Sequence, residues 1–262
     1  MITVGRIERF LNSRFPPARA MDWDRVGLNL GRRDAAVDTV LVALDPFRES
    51  CLEAKAVGAQ MLVTHHALLW HPGFLTDGDA QGQNALFLIE NGIAHYNAHT
   101  NLDLAPQGVN DALAKALGLE DIQVLSPTGT DESGQVWGLL RGGFVREQPL
   151  ERFLDTVKSS LGCPGLRYVS AGKPVRHVAV GGGSCGDDMP EAIAAGCDTF
   201  VTADVKYNQF RDAFDRGLNL IDAGHFYTEN PVCACLAGAL REEFPELSVQ
   251  ISQNHRDCMK FC

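Results

Sequence analysis

Two adjacent histidines, His65 and His66, directly follow the apolar run 61–64. A short apolar run with β-branched residues at its end predicts a buried strand, with the histidine pair at its carboxyl end. Imidazole is the commonest metal-binding side chain, and open α/β sheets collect their functional groups at this edge. A histidine pair alone is more often solvated or hydrogen-bonded than metal-bound, so the interpretation depends on the residues that join it.

Two later segments share a second pattern with metal-binding residue types. In each, a small residue is followed by a histidine and, four positions on, by a carboxylate: His99 with Asp103, and His225 with Glu229. If these segments begin helical turns, residues i and i+4 face the same side. His225 and Glu229 would then hold one ion between them.

A pair of neighbouring metal ions needs several imidazoles, together with carboxylates that can bridge the ions. The candidate metal ligands are His65, His66, Asp103, His225 and Glu229. Two divalent ions per chain are expected, and Zn²⁺, Fe²⁺ and Mn²⁺ all suit nitrogen and oxygen ligands. Water between two such ions is acidified and can attack a carbon or phosphorus centre, which indicates hydrolysis.

Further polar residues are candidates for orienting the ligands or lining the cleft. They are His99, Asp45, Asp204 and Lys206. His99 is as well placed to hold its loop by a hydrogen bond as to bind metal directly. None of these residues stands out as a general acid or base, so no catalytic residue is assigned. The remaining histidines lack partners in the pattern and are expected to be ordinary: His71, His95, His177 and His255.

A glycine run at 181–183 precedes a predicted helix and allows two interpretations. Such a run can cradle phosphate at a helix N-terminus. It lacks the lysine of a P-loop and the spacing of a dinucleotide fingerprint, so a tight strand–helix turn is preferred.

The elements that must position these residues alternate between strand and helix. Strands are predicted at 39–44, 61–64, 93–98, 136–145, 175–180, 199–202, 218–223 and 247–251, and helices at 4–14, 47–56, 84–90, 109–117, 150–161, 189–195, 206–216 and 231–243. This alternation predicts an α/β protein with mainly parallel sheets. A polar stretch at 120–133 suggests two similar domains, 1–127 and 128–262, the second returning His225 and Glu229 to a metal cleft between them.

The two halves also repeat each other. Residues 53–66 align without a gap on residues 191–204, and the same register extends back to Val40 on Val178. Such a match predicts one β-α-β unit used twice. The histidine pair is then the counterpart of Ala203 and Asp204.

Composition narrows the class of protein. The 262 residues are 45% hydrophobic and 21% charged, which is ordinary for a globular protein, and the net charge of −10 argues against a general nucleic-acid binder. The first twenty residues lack the apolar core of a signal peptide, and no apolar run is long enough for a membrane span, so a cytoplasmic location is expected.

None of the eight cysteines forms a CxxC pair, which favours reduced, mostly buried thiols. The role of Cys258 and Cys262 at the tail stays open.

Five segments together resemble the Nif-three-like proteins, often labelled GTP cyclohydrolase 1 type 2 homologues or dinuclear-metal-centre hexameric proteins. The segments are 23–28, 63–66, 99–103, 202–206 and 224–229, and the resemblance spans about residues 5–250. It implies two related α/β domains, a dinuclear metal site in the cleft between them, and a toroidal homohexamer. The family's ligands correspond to the five candidate metal ligands named above.

This chain departs from the family pattern at three positions near the site. Ala67 stands where the family usually has proline, Ala203 where it has glycine, and Asn208 where a histidine is common. The metal ligands are unaffected, whereas the substrate-facing surface differs. The expected function is a metal-dependent hydrolase acting on a small polar or nucleotide-like substrate. The alternative is a non-enzymatic metal-binding or regulatory ring that serves as a platform for partners.

Overall fold

Helices and strands alternate along most of the chain, as the sequence predicts. The structure, a computed structural model, describes residues 1–70 and 73–262, and His71 and Pro72 lie outside the described residues. The helices are α1 (Val4–Arg14), α2 (Arg48–Ala56), α3 (Ala80–Glu90), α4 (Thr100–Asp103), α5 (Val109–Ala116), α6 (Leu150–Leu161), α7 (Met189–Ala194), α8 (Tyr207–Asp215), α9 (His225–Glu229) and α10 (Val232–Glu243). The strands are β1 (Gly27–Leu30), β2 (Thr39–Ala43), β3 (Met61–Thr64), β4 (Ala94–Asn97), β5 (Glu120–Val124), β6 (Pro127–Thr130), β7 (Val136–Gly138), β8 (Arg141–Gln148), β9 (Arg167–Val169), β10 (Val175–Val180), β11 (Thr199–Thr202), β12 (Asn219–Asp222) and β13 (Ser248–Ile251).

The chain divides into two units, each formed from two segments. The first unit comprises Met1–Leu102 and Val232–Arg256, and the second comprises Asp103–Pro231 and Asp257–Cys262. This division differs from the sequence boundary at 127/128. Both α5 and β5 belong to the second unit, whereas α10 and β13 belong to the first. β5 is a mostly exposed edge strand, so its polar sequence lacks the apolar alternation that identifies a strand.

The first unit contains a five-stranded sheet in the order β1-β4-β3-β2-β13. All neighbours are parallel except β1, which runs antiparallel to β4 at the edge. Every residue of β3 is buried, because the strand has neighbours on both sides. This burial explains why its residues are apolar up to the terminal Thr64, without the alternation of a half-exposed strand. Leu41 and Leu62 of the sheet pack with Cys51 of α2 and Leu88 of α3.

The second unit contains a six-stranded sheet in the order β5-β8-β10-β11-β12-β9 and a separate β6-β7 pair. The three central strands β10, β11 and β12 are parallel, and antiparallel strands flank them. Phe153 and Val157 of α6 pack with Val178 and Val180 of β10 and with Leu113 of α5. The single strand predicted at 136–145 is in fact divided between β7 and β8.

The internal repeat is confirmed by the order of elements. The series α1-β1-β2-α2-β3-α3-β4-α4 corresponds to α6-β9-β10-α7-β11-α8-β12-α9. In both units the three strands of the repeat, β2-β3-β4 or β10-β11-β12, are parallel, and an antiparallel strand, β1 or β9, pairs with the last of them. The sequence missed these edge strands because they are short and partly exposed. β2 and β10 occupy equivalent places at the start of each parallel series.

Two other expectations concern membrane spans and thiols. Within the described residues, no helix has both the length and the apolar character that crossing a bilayer requires. All eight cysteines are free in the described chain; five are buried, Cys235 is half-buried, and Cys258 and Cys262 are exposed.

Candidate metal centre

The carboxyl ends of four parallel strands carry a row of polar side chains in the first unit. Across the neighbouring strands β4, β3, β2 and β13, the segments after the strands contain His99, the pair His65 and His66, Asp45, and His255. Because the strands are parallel and adjacent, residues distant in sequence meet at one edge of the sheet.

His65 is fully buried, and its ring orientation is set by the backbone. Its Nδ1 lies 2.8 Å from the carbonyl oxygen of Ala98. A carbonyl oxygen can only accept, so Nδ1 carries the proton and the lone pair is on Nε2. This is the tautomer in which a histidine binds a metal through Nε2.

His66 is held in the same tautomer by a carboxylate. Its Nδ1 donates to Oδ1 of Asp45 at 2.6 Å. Burial alone would raise the pKa of Asp45, but hydrogen bonds from His255 and His66 bring that pKa well below its usual range. The carboxylate therefore stays ionised as an acceptor.

His99 has a matching partner in the loop before β1. Its Nδ1 donates to Oδ2 of Asp24 at 3.0 Å, and the backbone N–H of Thr100 donates to the same oxygen at 2.9 Å. Asp24 is buried, and the sequence alone had not assigned it a role. Its position inside segment 23–28, which resembles the family, was the one sequence feature that could have identified it as a site residue.

The three rings lie together at the edge of the sheet. One ring nitrogen each from His65, His66 and His99 lies within 4.8 Å of the other two. Carboxylate or carbonyl groups behind the rings fix their tautomers, which is the common arrangement of metal-binding histidines. His99, predicted only as a neighbour of the ligands, is thus placed beside the predicted ligands themselves. The rings of Trp70 and Trp23 lie next to His99, at centroid distances of 4.9 and 5.9 Å.

In the second unit, α9 begins at His225, so the predicted helical turn is confirmed. Nε2 of His225 lies 3.0 Å from Oε2 of Glu229, one turn further on. Nδ1 of His225 lies 2.7 Å from Oδ2 of Asp204. Asp204 itself has a φ of 52°, in the left-handed region that aspartate tolerates better than most residues. It orients His225 as Asp45 orients His66.

Asp103 ends the short helix α4 and is buried, as is Glu229. A carboxylate oxygen of Asp103 lies within 4.8 Å of one of Glu229. Two buried carboxylates this close repel each other unless positive charge compensates them. Burial raises the pKa of Cys185 well above its usual range, and the nearby charges of Asp103, Asp188 and Glu229 raise it further, so this cysteine remains a thiol.

The glycine run makes room for Glu229. A Cβ atom on Gly183 would lie 2.2 Å from Oε1 of Glu229, and Gly183 has a φ of +65°. The backbone N–H of Gly182 donates to Asn110 at 2.7 Å, and that of Gly183 donates to Thr228 at 3.0 Å. Both amides have protein acceptors here, which favours the tight-turn interpretation over a phosphate cradle.

Lys206 and His255 have different surroundings. Lys206 is exposed at the start of α8, where its backbone N–H donates to the side chain of Gln209. His255, expected to be ordinary, instead donates from Nε2 to Oδ2 of Asp45 at 2.7 Å. Ala67 and Ala203 are buried, and Asn208 is exposed.

The donor sets fit divalent metal ions. The first unit offers imidazole nitrogens whose lone pairs are set by hydrogen bonds, and the second offers buried carboxylates beside one imidazole. Nitrogen and oxygen donors of this kind suit Zn²⁺, Fe²⁺ or Mn²⁺. These residues can therefore hold a metal ion.

Comparisons of this chain with known sequences and structures all indicate the same family. A protein from Streptomyces coelicolor described as a GTP cyclohydrolase 1 type 2 homolog is 39% identical over 246 residues, covering 88% of this chain and 83% of that protein. A protein of the same description from Clostridium perfringens is 31% identical over 242 residues, covering 91% and 92%. The crystal structure of a Bacillus cereus protein related to NIF3 superposes with a TM-score of 0.94 at 26% identity, covering 100% of this chain and 99% of that one. The family model for Duf34/NIF3 (NGG1p interacting factor 3) matches residues 2–257, and the chain belongs to this family.

Proposed function

We propose that this chain is a metal-dependent hydrolase acting on a small polar or nucleotide-like substrate. The observation that carries the proposal is the histidine cluster of the first unit. Its three rings bring nitrogens within 4.8 Å of one another, and a hydrogen bond to Nδ1 sets the tautomer of each ring. Removing three imidazoles wholly or partly from water costs free energy, and the arrangement has little structural purpose without an ion.

The proposed centre is dinuclear, with His65, His66, Asp103, His225 and Glu229 as ligands. Two observations, one in each unit, support it. The first unit contributes nitrogen donors, and the second contributes the close pair Asp103 and Glu229 with His225 beside them. Carboxylates are the groups that bridge two ions, whereas imidazoles bind one ion each.

When bound, divalent ions would polarise a substrate carbonyl or phosphoryl oxygen and acidify water at neutral pH. The chain's own carboxylates Asp24, Asp45 and Asp204 keep His99, His66 and His225 oriented by accepting from Nδ1. They are occupied in this way, so their role is to position the imidazoles.

The substrate class follows from the aromatic surface beside the cluster. Trp23 is 61% exposed, and its ring lies 5.9 Å from that of His99. An exposed indole next to a reactive centre offers a flat apolar face on which a heterocyclic base can stack. Ring opening of GTP is one candidate reaction for this chain, since two of its relatives are described as GTP cyclohydrolase 1 type 2 homologs.

The experiment joins metal analysis with a hydrolase screen. The purified chain should contain close to two ions, and His66→Ala and Glu229→Ala should lose metal while they remain folded. A screen of nucleotides and phosphoesters with Mn²⁺ and with Zn²⁺ should show turnover that His66→Ala abolishes. The matched control is His177→Ala, which removes a histidine stacked on Phe144 in the second unit.

The outcomes separate the hydrolase from its alternative. Two bound ions with no turnover, or equal turnover in the wild type and His66→Ala, would favour a non-enzymatic metal-binding ring that serves partners. A native protein that holds no ion and gains none from added Zn²⁺ or Mn²⁺ would remove both functions.

We also propose a toroidal homohexamer as the assembly, on the basis of family membership alone. Multi-angle light scattering at micromolar concentration should report about six times the chain mass of 28.5 kDa. A monomer under these conditions would contradict the assembly without affecting the metal site of a single chain.

A further inference from the structure

His255 is a buried histidine that the proposed function does not use. It is 5% exposed and lies in the turn after β13, and its Nε2 donates to Oδ2 of Asp45 at 2.7 Å. The other oxygen of the same carboxylate, Oδ1, accepts from Nδ1 of His66 at 2.6 Å. Asp45 thus accepts hydrogen bonds from two imidazoles, that of His66, 21 residues further along the chain, and that of His255, 210 residues further along.

Strand pairing brings these residues together. β13 is parallel to β2, with Ile251 opposite Val42, and the backbone N–H of Ser252 donates to the carbonyl of Val42 at 2.8 Å. Asp45 follows β2, and His255 follows β13. Both therefore lie at the carboxyl edge of the sheet, on neighbouring strands.

The turn that carries His255 is anchored by a carboxylate from α2. Glu53 accepts from the backbone N–H groups of Gln253 at 2.8 Å and Asn254 at 3.1 Å, and from the hydroxyl of Ser252. The backbone N–H of His255 then donates to that same hydroxyl at 3.2 Å. Four linked hydrogen bonds thus fix the direction from which His255 approaches Asp45.

We propose that His255 is a positioning residue of the histidine site, which acts through Asp45 to hold the ring of His66 with Nε2 directed toward the metal. The terminal torsion of an aspartate is broad, so one hydrogen bond leaves the carboxylate able to rotate. A second hydrogen bond on the other oxygen removes that freedom. The C-terminal turn, through this contact, becomes part of the site.

The inference rests on the proposed metal site, and its test has one measurement that needs metal and one that does not. Zn²⁺ affinity is measured by competition with a chromophoric chelator for the full chain and for His255→Leu and His255→Gln. The leucine fills the buried space without a donor, whereas the glutamine retains an N–H donor. His255→Leu should weaken Zn²⁺ binding about 10- to 100-fold, and His255→Gln should recover most of that loss. His177→Leu is the matched control and should leave the affinity unchanged.

The second measurement follows the ring nitrogens of His66 by NMR in metal-free protein. The wild type and His255→Gln should show one tautomer with the proton on Nδ1, and His255→Leu should show exchange between tautomers. Circular dichroism checks the fold. If His255→Leu does not fold, His255→Asn, whose shorter amide falls short of Asp45, replaces it in the comparison with His255→Gln.

Two results would overturn the inference. One is a His66 spectrum that is the same in His255→Leu as in the wild type. The other is an equal loss of Zn²⁺ affinity in His255→Gln and His255→Leu, which would indicate that His255 contributes packing alone. A wild type that binds no Zn²⁺ would contradict the proposed function, and the metal-free spectra would still decide the role of His255.

Discussion

The carboxylate of Asp24 accepts a hydrogen bond from Nδ1 of His99 at 3.0 Å, across a separation of 75 residues. The hydroxyl and the backbone N–H of Thr100 donate to the same oxygen. Burial would raise the pKa of Asp24, yet the hydrogen bonds from His99 and Thr100 bring it well below its usual range. An ionised carboxylate thus orients His99 and anchors the loop that presents Trp23.

Asp24→Asn should weaken metal binding at the histidine cluster. The amide keeps the size of the side chain but removes the charge that holds the Nδ1–H tautomer of His99. We expect a loss of about 10- to 100-fold in Zn²⁺ affinity, measured by chelator competition, with little change in the circular dichroism spectrum. Asp22→Asn, an exposed neighbour, is the control. Equal affinities in the two variants would show that Asp24 has only a structural role.

Gly183→Ala should displace Glu229 and reduce the metal content. A Cβ there would lie 2.2 Å from Oε1 of Glu229, and the φ of +65° also disfavours alanine. Gly162→Ala is a matched control, because Gly162 has a φ of +68° and open space around its Cβ position. Both variants should lose about 1–2 kcal/mol of unfolding free energy from the backbone. Only Gly183→Ala should lower the metal stoichiometry measured by elemental analysis, and full metal loading of this variant would contradict the role of Glu229.

Folding stability of the metal-free protein should fall as the pH is lowered, and His95 should account for part of this loss. Burial lowers the pKa of His95 from the usual histidine value to about 3. Its Nε2 donates to the hydroxyl of Thr64 at 2.8 Å, while Nδ1 has no hydrogen-bond partner among the described residues. Protonation of Nδ1 would therefore bury an unpaired N–H and a charge.

The direction of this pH effect follows from whether the folded or the unfolded protein binds the proton. Between pH 6.5 and 3 the unfolded chain protonates His95 and the folded chain does not, so stability decreases as the pH falls through this range. The expected contribution is about 2 kcal/mol between pH 7 and pH 5. Urea unfolding of the wild type and of His95→Gln at both pH values measures it. Identical pH dependence in the two proteins would rule out His95 as a source.

Arg141 should be a major contributor to the stability of the second unit. It is 1% exposed, and its guanidinium donates to Asp111 at 2.9 Å and to the carbonyls of Ala105 and Gly138 at 2.9 and 2.7 Å. Arg141→Met retains bulk but leaves these acceptors without their donor. We expect a loss of about 3–5 kcal/mol in unfolding free energy. The exposed Arg146→Met on the same strand should change stability by less than about 0.5 kcal/mol, and a similar small effect of Arg141→Met would contradict this role.

Much of the local structure followed from the sequence because its causes are local. The buried strands β3 and β11 are short runs of apolar residues and threonine, and the histidine pair directly follows the first of them. The turn at His225 places a carboxylate at i+4 by helix geometry alone. The repeat could be recognised because both copies kept the same helix–glycine–strand register.

The tertiary structure alone decided which unit each later segment joins and which residues support the histidines. β13 pairs with β2 rather than with a strand of its own half, and this pairing delivers His255 to Asp45. Asp24 reaches His99 because the loop before β1 lies beside the end of β4. The order of strands in a sheet depends on how whole sheet faces are buried. It also depends on which distant segments of the chain come back to pair with earlier strands. No window of sequence contains that information. The metal-binding residue types were therefore visible in the sequence, and Asp45 and Asp204 were already candidates for orienting them. The pairing of each carboxylate with its histidine, and the contacts made by Asp24 and His255, were not visible.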